Sequence, residues 1–412
     1  MKRAPLLLAA LTIAALVISA CGGTPVPPTA TPVPPTATMA PNKAPAAPTA
    51  APAPTTAAPA PTTAAPAPTK APAAPTAAAP AATAVAPTPT TVVLPAGGRL
   101  ALIKSRGKLI CGVNNAQPGF GFLDKTSGQL VGFDIDFCKA LAAAVLNDPK
   151  AVDYRPLNTA QRGPALQTGE IDVLIRNTTW TSTRDTSWGL FAPTTFYDGQ
   201  GMMLRKTIAA KTLKDLKGAT ICVQAGTTTE LNLTDRMREA GVDFKPVVFQ
   251  DQDPTYAAYE EGRCDAVTSD ISQLVSRKSV MKVPTDHVIM DLVMSKEPLG
   301  PEVPMNDVAW FNVVKWVIFA TFQTEESGIT SKNVDDMKKS TNPDIRRLLG
   351  VEGELYKGLN LDQDWVGRMI KAVGNYGEIY DRNLGPSTPI NLPRGVNKPW
   401  TQGGLLYAPP YR

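Results

Sequence analysis

Histidine is nearly absent: the 412 residues contain one, His287. That argues against histidine-based nucleophilic triads and histidine-rich metal sites, and His287, beside Asp286 in a connector, reads as a surface residue. No acid pair stands out for carboxylate catalysis, and no motif calls for a metal or cofactor. Acidic residues are missing before residue 98, whereas Lys2, Arg3, Lys43 and Lys70 fall there. The formal net charge of +5 is therefore largely a property of the N-terminal segment. The remainder is close to neutral and has no nucleic-acid footprint. Long apolar runs are missing too. The stretch from Ala4 to Ile18 is short and alanine-rich, and the one from Val308 to Phe322 is interrupted by Asn312 and Lys315. Neither suits a permanent transmembrane helix, and the second reads as a buried helix.

The N-terminus is organised as a targeting segment over residues 1–20. Lys2 and Arg3 precede the apolar run, and Ser19-Ala20 precede Cys21. Ile18-Ser-Ala-Cys21 resembles the bacterial lipobox, which implies cleavage before Cys21 and a diacylglycerol thioether on it. Residues 21–98 form a linker, almost wholly Pro, Ala and Thr from 22 to about 95. They hold too little bulky apolar surface to offset chain entropy, so a disordered stalk is expected. At about 3.1 Å per residue in polyproline-II form it would reach on the order of 200 Å. Its composition also suits O-glycosylation.

From Arg99 onward, strand and helix signals alternate, which argues for α/β architecture. Strands are expected at Leu109–Val113, Ile171–Ile175, Thr220–Gln224 and Asp265–Thr268. Helices are expected after an Asp134 N-cap, over 159–168 ahead of Gly169, after Thr227 up to Gly241, and from Asp253-Pro254 to Gly262. Thr227-Thr-Thr-Glu230 has the spacing of a capping box. Two correspondences recur in the same order. Leu109-Ile-Cys-Gly-Val113 parallels Thr220-Ile-Cys-Val-Gln224, and Gly169-Glu-Ile-Asp-Val-Leu174 parallels Gly262-Arg-Cys-Asp-Ala-Val267. They imply two similar lobes. Segments near Thr195–Met203 and Val288–Val303 are candidate hinge crossings. Five cysteines leave four once Cys21 is lipidated, with three possible pairings. Cys111–Cys138 with Cys222–Cys264 is favoured because each bond then stays within one lobe.

Ligands of open α/β sheets bind beyond the carboxyl ends of strands. The loops there are Asn177-Thr-Thr-Trp-Thr-Ser-Thr-Arg184, Ala225-Gly-Thr-Thr-Thr-Glu230 and Ser269-Asp270. Together they suit a zwitterion. Arg184 offers a bidentate guanidinium to a carboxylate. Thr227 and Thr228 add hydroxyls and helix N-terminal N–H groups. Asp270 offers a carboxylate to an ammonium. Each has a plainer alternative: Thr227 and Glu230 as a cap, Arg184 paired with Asp185, Asp270 as the cap of the following helix.

The stretches Asn177–Thr186, Tyr197-Asp-Gly-Gln-Gly201, Cys222–Leu233, Ser295-Lys-Glu-Pro-Leu-Gly-Pro301, Asn342–Gly350 and Val373–Tyr380 resemble the general L-amino-acid-binding proteins of polar amino-acid ABC importers. These are family 3 extracellular solute-binding proteins. The resemblance runs from about 99 to 385 and beyond. It implies a type II periplasmic-binding-protein fold: two similar α/β lobes joined by two crossover strands, here preceded by the stalk. Residues 99–196 would begin lobe 1, 197–294 form a hinge and lobe 2, and 295–412 return through a second hinge to complete lobe 1 and add a C-terminal extension. The resemblance implies that Arg184 clasps the ligand α-carboxylate, and that Asn177 and Thr179 bind its backbone. Thr228, with Thr227 and Thr229 beside it, would bind the carboxylate from lobe 2, and Asp270 would hold the α-ammonium. Asn114, Gln117 and Phe120 are expected in the side-chain pocket, although that loop departs from narrower-specificity relatives. The partners implied are a free L-amino acid, an ABC permease and ATPase, and a membrane reached through lipid at Cys21, with the protein monomeric and outside the cytoplasm. The alternatives are an enzyme on the same scaffold, such as a cyclohexadienyl dehydratase, or an amino-acid sensor.

Overall fold

The computed structural model describes residues 92–412, all within the compact unit Ala84–Arg412. The signal segment, Cys21 and the linker up to residue 91 lie outside the described residues. Two five-stranded sheets dominate. In the first, the strands run in the order Val152–Pro156, Leu109–Val113, Val173–Leu174, Glu302–Pro304, Gly189–Phe191. In the second the order is Lys245–Phe249, Thr220–Gln224, Ala266–Asp270, Gln200–Arg205, His287–Ile289. Each sheet begins with three parallel strands and then takes an antiparallel strand from a distant part of the chain. Leu109–Val113 and Thr220–Gln224, the repeated segments, hold the same place in their sheets. The chain passes between lobes along Phe196–Asp198 and returns along Glu297–Leu299. These two strands pair antiparallel, with Glu297 opposite Asp198.

The sequence signals act much as their chemistry requires, with local exceptions. Gly169, at φ 75°, ends the helix Arg162–Thr168. Thr227 caps Thr228–Glu239 by accepting the Glu230 N–H at 3.0 Å. Glu230, however, reaches back to the Gly226 N–H, so the capping box is only half made. Asp134 is not an N-cap: Gly132 holds that position before Phe133–Leu146, and the Asp134 carboxylate instead accepts the Asn177 N–H at 3.1 Å. Pro254 is not the first helical residue, because Gln252–Glu260 begins two positions earlier. Both disulfides form as favoured, Cys111–Cys138 and Cys222–Cys264. His287 is not a surface residue. It is 6% exposed, and its Nδ1 hydrogen-bonds with the Tyr259 hydroxyl at 2.8 Å.

The first lobe has the larger core. Val308–Glu326 buries Trp310, Val313, Val314, Val317 and Ile318, and the Trp310 indole donates to the Asp172 carbonyl at 2.8 Å. Among the described residues no helix is long and apolar enough to cross a membrane. Phe120, Phe133, Phe137, Phe196, Tyr376 and Tyr380 form an edge-to-face and stacked aromatic group below the crossing strands. Such rings combine large buried area with favoured quadrupole geometry. The second lobe instead divides its core between the two faces of its sheet. Met202, Leu204, Ile221 and Val223 lie on one face, and Met203, Cys222, Tyr259 and Val267 on the other. That division is what strand alternation dictates for a sheet covered on both sides.

Candidate functional site

The carboxyl ends of the parallel strands of both sheets meet across a closed cleft. The lobes touch directly there. The Thr159 hydroxyl donates to the Ala225 carbonyl at 2.8 Å, and the Asn114 amide donates to Gln252 Oε1 at 3.1 Å. The Ser276 hydroxyl and the Arg277 guanidinium donate to the Pro118 and Ala116 carbonyls, each at 2.7 Å. These contacts enclose a chamber of about 30 Å³. It has room for one or two waters, so a larger guest must part some of the cross-cleft contacts. Asn114, Arg176 and Gln224 also border a second cavity of about 270 Å³. This vestibule is walled mostly by polar groups, among them Asn115, Asn158, Gln161, Asp251, Gln252 and Asp253.

Of the residues expected at the site, Asn114, Asn177, Thr179, Arg184, Thr227, Thr228, Thr229 and Asp270 all line the chamber. Gln117 and Phe120 do not, which corrects the side-chain-pocket expectation. The chain after Asn114 folds into a hairpin in which Ala116–Gln117 pairs with Gly121–Asp124. Its turn buries Gln117 with both amide atoms unpartnered and sends Phe120 into the aromatic core. Sequence reasoning missed Thr159, Arg162, Arg176, Gln224 and Gln273, which also line the chamber, as does Ser269 of the Ser269-Asp270 loop. For Arg176 a signal existed: it closes the strand segment immediately before Asn177. Arg162 gave none, being the first residue of a helix.

The loop Asn177–Arg184 is held along the returning crossover strand. The Trp180 N–H donates to the Pro298 carbonyl at 2.8 Å, and the Gly300 N–H to the Thr178 carbonyl at 3.1 Å. Asn177 takes a left-handed conformation, φ 44°, and its side-chain amide is buried with no partner in the protein. Arg184 lies on the short helix Ser182–Ser187. Its Nη1 donates to the Thr179 carbonyl at 2.9 Å, and its guanidinium sits 5.0 Å from the Trp188 ring. It does not pair with Asp185, whose carboxylate accepts the Phe191 N–H instead. Asp270 occupies the N-cap position of Ile271–Lys278 but makes no side-chain cap bond, so its carboxylate remains available to the chamber.

The electrostatics are polarised. Three guanidiniums, Arg162, Arg176 and Arg184, converge from the first lobe. Burial lowers the pKa of each. For Arg162 the like charges of Arg184 and Arg176 lower it further. Arg176, supported by Asp134, is brought to about 10 and so stays cationic at neutral pH. On the other side Asp270 is raised well above the usual carboxylate range, by burial first and then by Asp198 and Glu297. Burial also lifts Asp198 to about 6. A small dipolar guest with an anionic end toward the arginines and a cationic end toward Asp270 relieves both walls at once.

The match to the model of bacterial extracellular solute-binding proteins, family 3, spans residues 109–326. The chain belongs to that family. It is 50% identical over 316 residues to the general L-amino acid-binding periplasmic protein AapJ of Rhizobium johnstonii, covering 76% of this chain and 92% of that protein. It is 47% identical over 312 residues to the glutamate/glutamine/aspartate/asparagine-binding protein BztA of Rhodobacter capsulatus, covering 75% and 92%. Among solved structures, an ABC transporter periplasmic binding protein from Brucella ovis with glutathione bound is 48% identical at a TM-score of 0.74, covering 76% of this chain and 99% of that one. These family 3 relatives are binding proteins, not enzymes.

Proposed function

We propose that this chain captures free L-amino acids in the interlobe chamber and hands them to an ABC importer. The observation that carries the reading is the polarised chamber, with three arginines on the first-lobe wall and Asp270 facing them. Arg184 holds the α-carboxylate with the N–H groups of Thr228 and Thr229 at the start of their helix. Asp270 holds the α-ammonium, and Asn177 and Thr179 complete the cradle for the ligand's common backbone. Groups from both lobes are satisfied only when the lobes are together, so the guest favours closure by differential contact. The side chain leaves past Asn114, Arg176 and Gln224 into the vestibule. Its polar walls and the amino acids named for the Rhodobacter relative support acidic and amide side chains. In the same reading Cys21 carries the lipid anchor, and membrane fractionation of a Cys21→Ser variant tests that.

A thermal-shift screen of the 20 amino acids tests the central claim. At a hundredfold excess over its Kd a true ligand adds about 2.7 kcal/mol of stability. No stabilisation by any amino acid would exclude the reading. The vestibule favours a second, wider version. Its volume of about 270 Å³ leaves room for a substituent on the end of the side chain, as in a γ-glutamyl peptide. The glutathione-bound Brucella relative makes glutathione the compound to titrate.

A further inference from the structure

Glu297 stands on the returning crossover strand and is 1% exposed. One of its oxygens, Oε2, accepts the hydroxyl of Thr179 at 2.6 Å and the hydroxyl of Thr228 at 2.8 Å. The other, Oε1, accepts the Asn232 amide at 2.9 Å and the Ser295 hydroxyl. Thr179 belongs to the first-lobe loop, whereas Thr228 and Asn232 lie on the helix that opens the second-lobe site. A single buried carboxylate at the hinge thus holds a chamber residue of each lobe.

A threonine hydroxyl has one proton to give. Thr179 and Thr228 both give theirs to Glu297, and their oxygens stand 3.3 Å apart. Neither then has a proton left for the other, so the two oxygens face each other as acceptors. What they lack is a donor. We infer that Glu297 is the positioning residue that makes Thr179 and Thr228 acceptors, so that this pair, with Asp270, reads the ammonium end of the ligand. This assignment rests on the amino-acid-binding reading. It also changes the part played by the two hydroxyls. Their N–H groups remain free to serve a carboxylate, but their oxygens serve the ammonium. A guest that inserts N–H donors between them replaces a contact between two acceptors with two hydrogen bonds, and does so only in the closed form.

The test compares L-glutamate with (S)-2-hydroxyglutarate, which carries a hydroxyl in place of the ammonium on the same skeleton. Calorimetry is run on the parent, Glu297→Gln, Thr228→Val and the double variant. The parent is expected to prefer glutamate by about a hundredfold. Glu297→Gln is expected to weaken glutamate at least tenfold and hydroxyglutarate by less than threefold. Thr228→Val should narrow the preference in the same way, and Glu297→Gln should add little on top of it, because the two act through one group. Equal weakening of both ligands by Glu297→Gln, or additive losses in the double variant, would show a merely structural role and overturn the assignment. If Glu297→Gln does not fold, an unchanged preference in Thr228→Val overturns it alone. A parent that is stabilised by amino acids but binds glutamate no better than hydroxyglutarate also sinks it. A parent stabilised by no amino acid instead sinks the functional reading beneath it.

Discussion

On the first-lobe wall, Arg162, Arg176 and Arg184 are desolvated and repel one another, yet a guanidinium begins so far above neutrality that Arg176 still titrates only near 10. On the facing wall Asp270 is buried too, and Asp198 lies near it on the crossover strand, but a carboxyl begins below pH 4, so burial carries Asp198 to about 6 and Asp270 well above its usual range. The two walls therefore pay for burial differently. Arg176 keeps its charge throughout the physiological range, whereas the acidic groups are moved toward taking up protons. Burial, reinforced by like charges on each side, leaves the arginine half of the grip the steadier one and makes the acidic half sensitive to pH.

The sharpest way to break that comparison is to remove the constant half. Arg184→Ala should weaken amino-acid binding by about a hundredfold or more, near 3 kcal/mol, because it strips a charged hydrogen-bond partner and leaves the ligand carboxylate in a shielded site. Calorimetry checks this, and circular dichroism should show the fold intact. Asp270→Asn should cost less, about tenfold at neutral pH, since part of the aspartate's attraction is offset by its own desolvation. The same change should raise the melting temperature of the ligand-free protein. A carboxyl whose folded pKa is raised contributes stability that is complete below its unfolded pKa and lost as pH rises through the folded value. Asparagine removes that loss. An unchanged or lowered melting temperature would break the account of the acidic wall.

The third prediction uses pH itself. Ligand ammonium needs Asp270 ionised, and burial raises that carboxyl well above its ordinary range, so affinity should fall as pH is lowered, by no more than about tenfold per unit. Titrations between pH 5 and 8 should show this decline, and Asp270→Asn should flatten it. The smallest effect concerns Glu302, 0% exposed behind the arginines with both carboxylate oxygens unpartnered. Burial pushes it to about 8 against the pull of Arg184 and Arg162. By the same sign rule its stabilising share disappears as pH rises from about 4 through 8. Glu302→Gln should therefore reduce the drop in melting temperature between pH 7 and 9.

Much of this was legible along the chain. The paired segments around Cys111 and Cys222 mark equivalent strands, and Gly169 and Gly262 mark the ends of equivalent helices, because both signals are local. Asn177, Thr179, Arg184, Thr227, Thr228, Thr229 and Asp270 were legible because polar residues directly after strand ends share one edge of an open sheet. Gln117 and Phe120 misled because the chain after Asn114 folds back on itself, and the hairpin turned their side chains away from the cleft. Glu297 stood in a quoted motif, but its place beside Thr179 and Thr228 depends on a crossover that pairs residues about 100 positions apart. His287 was misread because one buried hydrogen bond to Tyr259 outweighed what its charged sequence neighbour suggested.

The sequence by itself determined where strands start, where helices stop and which chemical groups the loops carry, since these follow from side-chain pattern and backbone preference over a few residues. Only the tertiary structure decided which of those groups are dry, which share a proton acceptor and which face a like charge. Desolvation and Coulomb interaction depend on distance through space, and Asp270 comes to face Arg162 and Arg184 only when two lobes close on one another.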